Sequence, residues 1–160
     1  MGETQNQNYL EELSDELSIA LGKAIWTFAK IEAVTYDYIK KLSKDDLNSL
    51  LGNQPISSRI KLIKKLIERI KGLDNEKVEA LSVIRKAENL LKDRNTIAHN
   101  PWLIWIDFEQ NDFVTEIHDA SKPMQKLNLK AVKEFTVEAE KLVLGLRNAL
   151  HPLVKTVHGF

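Results

Sequence analysis

The sequence predicts a mainly α-helical fold, an up-down helical bundle with a small β-hairpin inserted before the last helix. Three observations predict it. Apolar residues recur at steps of three and four along most of the chain, the period of one helix face. Gly (6) and Pro (4) are few, and several of them stand where a periodic run stops. The stretch between Trp102 and His118 breaks the pattern, being aromatic and β-branched with partial alternation.

The polar first eight residues are expected to fray. From about Tyr9 to Leu42, the residues Leu13, Leu17, Leu21, Ala24, Phe28, Ile31, Val34, Tyr38 and Leu42 mark one long helix. Ser43 and Asp46 resemble a capping box opening a short helix that Gly52 would close. After Pro55 and Ser57-Ser58, an amphipathic helix runs from about Ser58 to Lys71, with Ile60, Ile63, Leu66, Ile67 and Ile70 on one face and Gly72 as its stop. Asp74 or Asn75 then caps a long helix through Val78, Leu81, Ile84 and Leu91 into Arg94. Pro101 disfavours helical dihedrals at Asn100, so this helix should stop near His99. Trp102 to Phe108 and Phe113 to His118 form the hairpin around a turn at Gln110-Asn111-Asp112, and a two-stranded hairpin must pack on helices to persist. Asn128 caps the final helix, carrying Leu129, Val132, Phe135, Ala139, Leu142, Leu146 and Leu150, and Pro152 ends it.

A chain of 160 residues with 43% apolar and 29% charged residues is one-domain size, and residues 1–160 are read as a single domain. The absence of Cys excludes disulfides, thiolate zinc sites and cysteine nucleophiles. The start lacks a basic region and an apolar run, so it does not read as a secretory signal. No apolar stretch approaches the roughly 20 residues a bilayer crossing needs. The expectation is a cytoplasmic protein with no membrane partner. Lys+Arg (23) balances Asp+Glu (23), which argues against a nonspecific nucleic-acid binder working by bulk charge. It leaves room for an enzyme touching RNA over a small site.

The chemistry concentrates in Leu90-Leu91-Lys92-Asp93-Arg94-Asn95-Thr96-Ile97-Ala98-His99-Asn100-Pro101. Here a planar cation, an amide and an imidazole share the C-terminal end of a helix. Arg grips a phosphate through two parallel hydrogen bonds. His titrates at about pH 6.5 when unperturbed and serves as base or acid in a cell. Five residues on a helix is about 140° of rotation, so Arg94 and His99 diverge on a continued helix and converge more easily if it ends near His99.

This Arg-polar-x3-His segment resembles the R-x4–6-H motif of the HEPN superfamily, whose helical bundles include metal-independent ribonucleases, often toxins or defence proteins, and inactive relatives. Arg94 matches the motif Arg, Asn95 the favoured polar neighbour and His99 the motif His. Trp26-Thr27-Phe28-Ala29-Lys30-Ile31-Glu32 resembles a Phe-x-x-x-Glu pattern of small bacterial HEPN proteins, while the hairpin departs from a minimal bundle. The resemblance implies a symmetric homodimer with a composite site. There, an RNA 2′-hydroxyl would attack the adjacent phosphorus. His99 would move protons, Arg94 would hold the phosphate, and Asn95 would orient phosphate or imidazole. It implies no metal and no cofactor, and by analogy an antitoxin partner of the minimal nucleotidyltransferase kind.

Plainer roles remain open at each position. Arg94 could pair with Asp93 or Glu88, or meet terminal carbonyls, and His99 could simply cap the helix. Asn100 either supports the site or only shapes the turn to Pro101. Glu32, mid-helix among apolar neighbours, is either a partner of Arg94 or exposed. The helix Arg59 to Lys71 carries Arg59, Lys61, Lys64, Lys65, Arg69 and Lys71 against Glu68. Its Lys61, Lys64 and Lys65 would contact an RNA backbone, or the run is the solvated face of an amphipathic helix. Arg147 and His151 repeat an Arg-Asn…His phrase one residue shorter and read as surface or support. Trp26, Trp102 and Trp105 read as core or dimer interface. His118 and His158 show no metal-ligand spacing, and no Gly-rich phosphate loop or Gly-x-Ser-x-Gly turn is present. Two functions follow: a HEPN-type endoribonuclease, or a noncatalytic HEPN-like dimer that binds a nucleotide, RNA or a partner protein.

Overall fold

A computed structural model describes residues 3–43, 47, 54–110, 112–118 and 126–158. In chain order these form α1 (Glu3–Leu42), α2 (Ile56–Glu68), α3 (Asp74–His99), β1 (Trp102–Asp107), β2 (Asp112–His118), β3 (Lys126–Asn128) and α4 (Leu129–His158). The protein is a helical bundle with a small antiparallel sheet between its third and fourth helices. Most of the short helix expected between Ser43 and Gly52 lies outside the described residues. No helix among the described residues is long and apolar enough to cross a membrane.

The expected apolar stripes form the core. On α1, Leu17, Ala24, Phe28, Ile31, Val34, Tyr38 and Leu42 are buried, and Ile60, Ile63 and Ile67 of α2 face them. On α4, Val132, Phe135, Ala139, Leu142, Leu146 and Leu150 close the bundle, and Phe28 stacks on Phe135 with ring centroids 6.2 Å apart. Burying side chains of this size stabilises by roughly 1.5–3 kcal/mol each. The Tyr38 hydroxyl donates to the Leu146 carbonyl at 2.8 Å, which satisfies a polar group deep in the core.

Several boundaries differ from the sequence expectation. α1 starts at Glu3, so helix covers part of the terminus expected to fray. α2 starts at Ile56, directly after Pro55, and stops at Glu68 rather than Lys71. Gly72 (φ +70°) and Leu73 (φ +54°) both take left-handed dihedrals and reverse the chain into α3. The N-cap of α3 is Leu73, with Asp74 the first helical residue, and the Leu73 carbonyl accepts from Lys77 N–H at 2.9 Å. Val78 is exposed, because the buried stripe of α3 runs through Ala80, Ile84, Ala87 and Leu90.

The hairpin gains a third strand, in the order β1-β2-β3. In the first pair Trp102 lies opposite Ile117 and Asp107 opposite Asp112, while Ile117 faces Leu127 in the second. The turn falls earlier than expected, because Asp107 Oδ1 accepts from Glu109 N–H (2.9 Å) and Gln110 N–H (3.2 Å). Ile117 is fully buried and anchors the sheet to the helices, whereas Leu103, Ile104, Trp105 and Ile106 of the outer strand are exposed. Asn128 caps α4 as expected, its Oδ1 accepting from Ala131 N–H at 2.9 Å.

Pro152 does not end α4, which continues to His158. A proline here removes one helix hydrogen bond and crowds the carbonyl four residues earlier. Beyond it, Leu153 is fully buried and Val154 and Val157 pack on the core, so tertiary burial overrides the local penalty. Pro152→Ala is therefore expected to raise the free energy of unfolding by about 1–3 kcal/mol, read from urea denaturation.

Candidate functional site

Arg94 and His99 both stand on the last turns of α3. The helix stops because Asn100, ahead of Pro101, takes extended dihedrals (φ −112°, ψ 148°). The end is secured by side chains. Asn100 Nδ2 donates to the Thr96 carbonyl at 3.0 Å, and Thr96 Oγ1 donates to the Lys92 carbonyl at 3.3 Å. Asn100 is thus placed as a brace for the helix end that presents His99.

The three motif residues come together despite the rotation between them. Arg94 Nη1 lies 3.2 Å from Asn95 Oδ1 and 3.4 Å from His99 Nε2. A guanidinium has donors only, so a hydrogen bond across this contact runs from Arg94 to the imidazole. His99 and Asn95 are exposed and Arg94 is partly so, which leaves the cluster open to a ligand. The Arg94 guanidinium also lies over the Phe28 ring, its Cζ 5.8 Å from the centroid.

Glu32 joins this cluster from α1. Its Oε1 is 3.8 Å from Arg94 Nη2, and its Oε2 is 3.6 Å from Arg59 Nη2 on α2. The side chain is one-third exposed at most, and Glu32 faces the motif rather than bulk solvent alone.

Arg59 is the residue that sequence reasoning misplaced. Both readings of the basic run, RNA contact and solvated face, need it on the surface, but it is only 3% exposed. Its Cζ sits 4.0 Å from the Tyr36 ring centroid, and its Nε and Nη1 are enclosed with no hydrogen-bond partner among the described residues. The signal was available: Arg59 precedes Ile63 and Ile67 by one and two four-residue steps, and so falls on the buried stripe. A cavity of about 450 Å³ opens between this residue and the motif, walled by Glu32, Tyr36, Arg94 and Asn95 and floored by the start of α2.

The other candidates fall elsewhere. Lys64 is bound to Glu88 of α3 at 2.6 Å, while Lys61 and Lys65 are exposed on α2. Arg147 and His151 are exposed on α4. His118 pairs with Glu116 at 3.0 Å, and His158 Nε2 lies 2.8 Å from the Lys41 carbonyl. Trp26 (69% exposed) and Trp105 (42%) are not core residues, because their positions on α1 and β1 point away from the buried stripes. Trp102 is partly buried against the core, with its indole Nε1 enclosed and unpartnered among the described residues. Among the described residues, no group of three or more His, Asp or Glu could hold a metal ion.

Asp93, the neighbour of Arg94, faces a groove between α3 and α4 where Glu138 and Lys141 also lie. Burial and then the Glu138 charge raise its carboxyl above the usual Asp range. No family model matches the chain, and no curated protein or solved structure matches it either.

Two outcomes follow from these contacts. Glu32→Ala leaves the enclosed Arg59 without its counter-charge and is expected to destabilise by about 2 kcal/mol, while the double variant Glu32→Ala/Arg59→Met recovers most of that loss in denaturant melts. An Asp93 carboxyl raised on folding disfavours the folded state once it is ionised. Stability therefore falls as pH rises from the ordinary Asp value through the raised one. Asp93→Asn is expected to raise the melting temperature at pH 7, with the gain vanishing below about pH 4, where both forms are neutral.

Proposed function

We propose that this chain is a metal-independent endoribonuclease of HEPN type, working in the cytoplasm in a toxin or antiviral role. The observation that carries the reading is the 3.4 Å approach of Arg94 Nη1 to His99 Nε2, with Asn95 on the same guanidinium. This joins a phosphate-gripping cation to a proton-transferring imidazole on an open helix end.

In the proposed reaction, the RNA 2′-hydroxyl attacks the adjacent phosphorus and the bond to the 5′-oxygen breaks. His99 moves the proton lost by the nucleophile or gained by the leaving oxygen. Arg94 turns from the imidazole to the phosphate and stabilises the charge that develops there. Asn95 orients the phosphate, and Glu32 holds Arg94 in reach. The products are a 2′,3′-cyclic phosphate and a 5′-hydroxyl. In a homodimer, the exposed helix ends of two copies face one another and form one composite site, which a minimal nucleotidyltransferase antitoxin would restrain.

A second reading, a noncatalytic dimer that binds a nucleotide, RNA or a partner protein, is favoured by the zero net charge. Incubation of total RNA and tRNA with the purified protein in EDTA separates the two. The ribonuclease reading expects cyclic-phosphate ends from the native chain. Arg94→Ala or His99→Ala should slow cutting by about 100-fold or more with the circular dichroism unchanged. No cleavage by the native chain at any concentration would leave the noncatalytic dimer.

A further inference from the structure

The first turn of α2 faces the cavity beside Arg94, with Pro55, Ile56 and Ser57 in its wall. The first N–H groups of a helix have no acceptor within it, and the helix dipole makes that end positive. Here the Pro55 carbonyl accepts from Ser58 N–H (2.9 Å) and Arg59 N–H (3.2 Å), which leaves the Ile56 and Ser57 N–H groups at the tip of the helix. The N-cap is Pro55, no side chain among the described residues caps the helix, and the first turn carries no acid. The 13-residue helix is long enough for its end to act on an anion.

A second, independent feature points the same way. Arg59, one turn into α2, lines the same cavity at 3% exposure, with Nε and Nη1 enclosed and unpartnered among the described residues. Its ion pair to Glu32 is 3.6 Å, longer than a good charge-assisted hydrogen bond. Glu32 divides its carboxylate between Arg59 and Arg94, so among the described residues two guanidiniums face one carboxylate and a positive charge is left over. The Ser57 hydroxyl and the Asn95 amide add neutral polar groups to the wall.

We infer that this cavity is a phosphate-binding subsite, formed by the α2 N-terminus and Arg59, that takes the phosphate next to the scissile one on an RNA strand. A phosphate there would accept from the Ile56 and Ser57 N–H groups and draw the Arg59 guanidinium away from Glu32. Because Arg59 and Arg94 reach opposite oxygens of one carboxylate, a strand whose scissile phosphate sits on Arg94 has its neighbour within reach of α2. The site thus sets substrate register. It rests on the ribonuclease reading only for the identity of the strand.

The test is titration of the isotopically labelled chain with inorganic phosphate and with a 2′-O-methyl RNA trinucleotide, which cannot be cleaved. Both are expected to shift the amide signals of Ile56 and Ser57 and the Arg59 Nε–H signal. Arg59→Lys should weaken binding. Because Arg59 is buried and that variant could misfold, Ser57→Asp at an exposed position is the decisive one. It supplies an anion to the helix end, so it should raise the melting temperature while lowering affinity for both ligands at least tenfold. Shifts confined to other parts of the chain, or undiminished binding by Ser57→Asp, would overturn the subsite. Binding of inorganic phosphate without the trinucleotide would overturn the strand as its ligand. A chain that binds both but cuts no RNA would sink the ribonuclease reading and leave the pocket standing.

Discussion

Glu32 holds a guanidinium at each carboxylate oxygen, Arg94 from α3 and Arg59 from α2, and this bridge ties three helices at one point. Much of the site's geometry depends on it. With Nη2 of Arg94 turned to Glu32, Nη1 is left to face Asn95 and His99. Enclosing Arg59 in the core is tolerable because Glu32 supplies a counter-charge and the Tyr36 ring a polarisable face. Glu32 and Tyr36 are one helical turn apart on α1, so a single face of that helix meets both the charge and the plane of Arg59. The adjoining residue, Phe28, supplies the same kind of surface under Arg94.

The other constraint is where α3 stops. A side chain five positions on is rotated by about 140°, and on an uninterrupted helix the flanking turns would hold Arg94 and His99 apart. His99 is the last helical residue, and Asn100 turns back to bond the Thr96 carbonyl. No following turn then crowds the imidazole, and the long Arg side chain bridges the remaining angle. The sheet begins at Trp102, and its anchoring through Ile117 fixes the path of the chain away from the site.

Period and punctuation made the helices legible. Three- and four-residue steps located the stripes of α1, α2 and α4, and Pro101 and Asn128 marked two boundaries correctly. Features that depend on contacts distant in sequence were hidden. β3 is three residues long and exists because β2 is beside it, so it has no local pattern of its own. Pro152 is a helix stop in isolation, and only the burial of Leu153 carries α4 past it. Leu73 carries none of the usual marks of a left-handed residue. At the site, the motif triad was legible as a cluster, but Arg59 was read by its charge when its phase on the helix was the better guide.

Phase and charge disagree at Arg59 because a buried cation is unfavourable unless something answers it. The protein answers it in part, with a long ion pair and a ring face, and leaves two donors enclosed and unpartnered among the described residues. A leucine there would continue the stripe of Ile63 and Ile67 without that penalty. Retaining a cation in such a place makes physical sense if its positive charge is used. On the proposed function the use is local. A chain with no net charge gains little long-range steering toward nucleic acid. Two guanidiniums and a helix N-terminus around one partly exposed carboxylate concentrate positive potential in a volume the size of a few phosphates. Recognition then rests on fit within that volume, and its dependence on salt should be shallow, as for a ligand neutralised at one or two phosphates rather than along a strand.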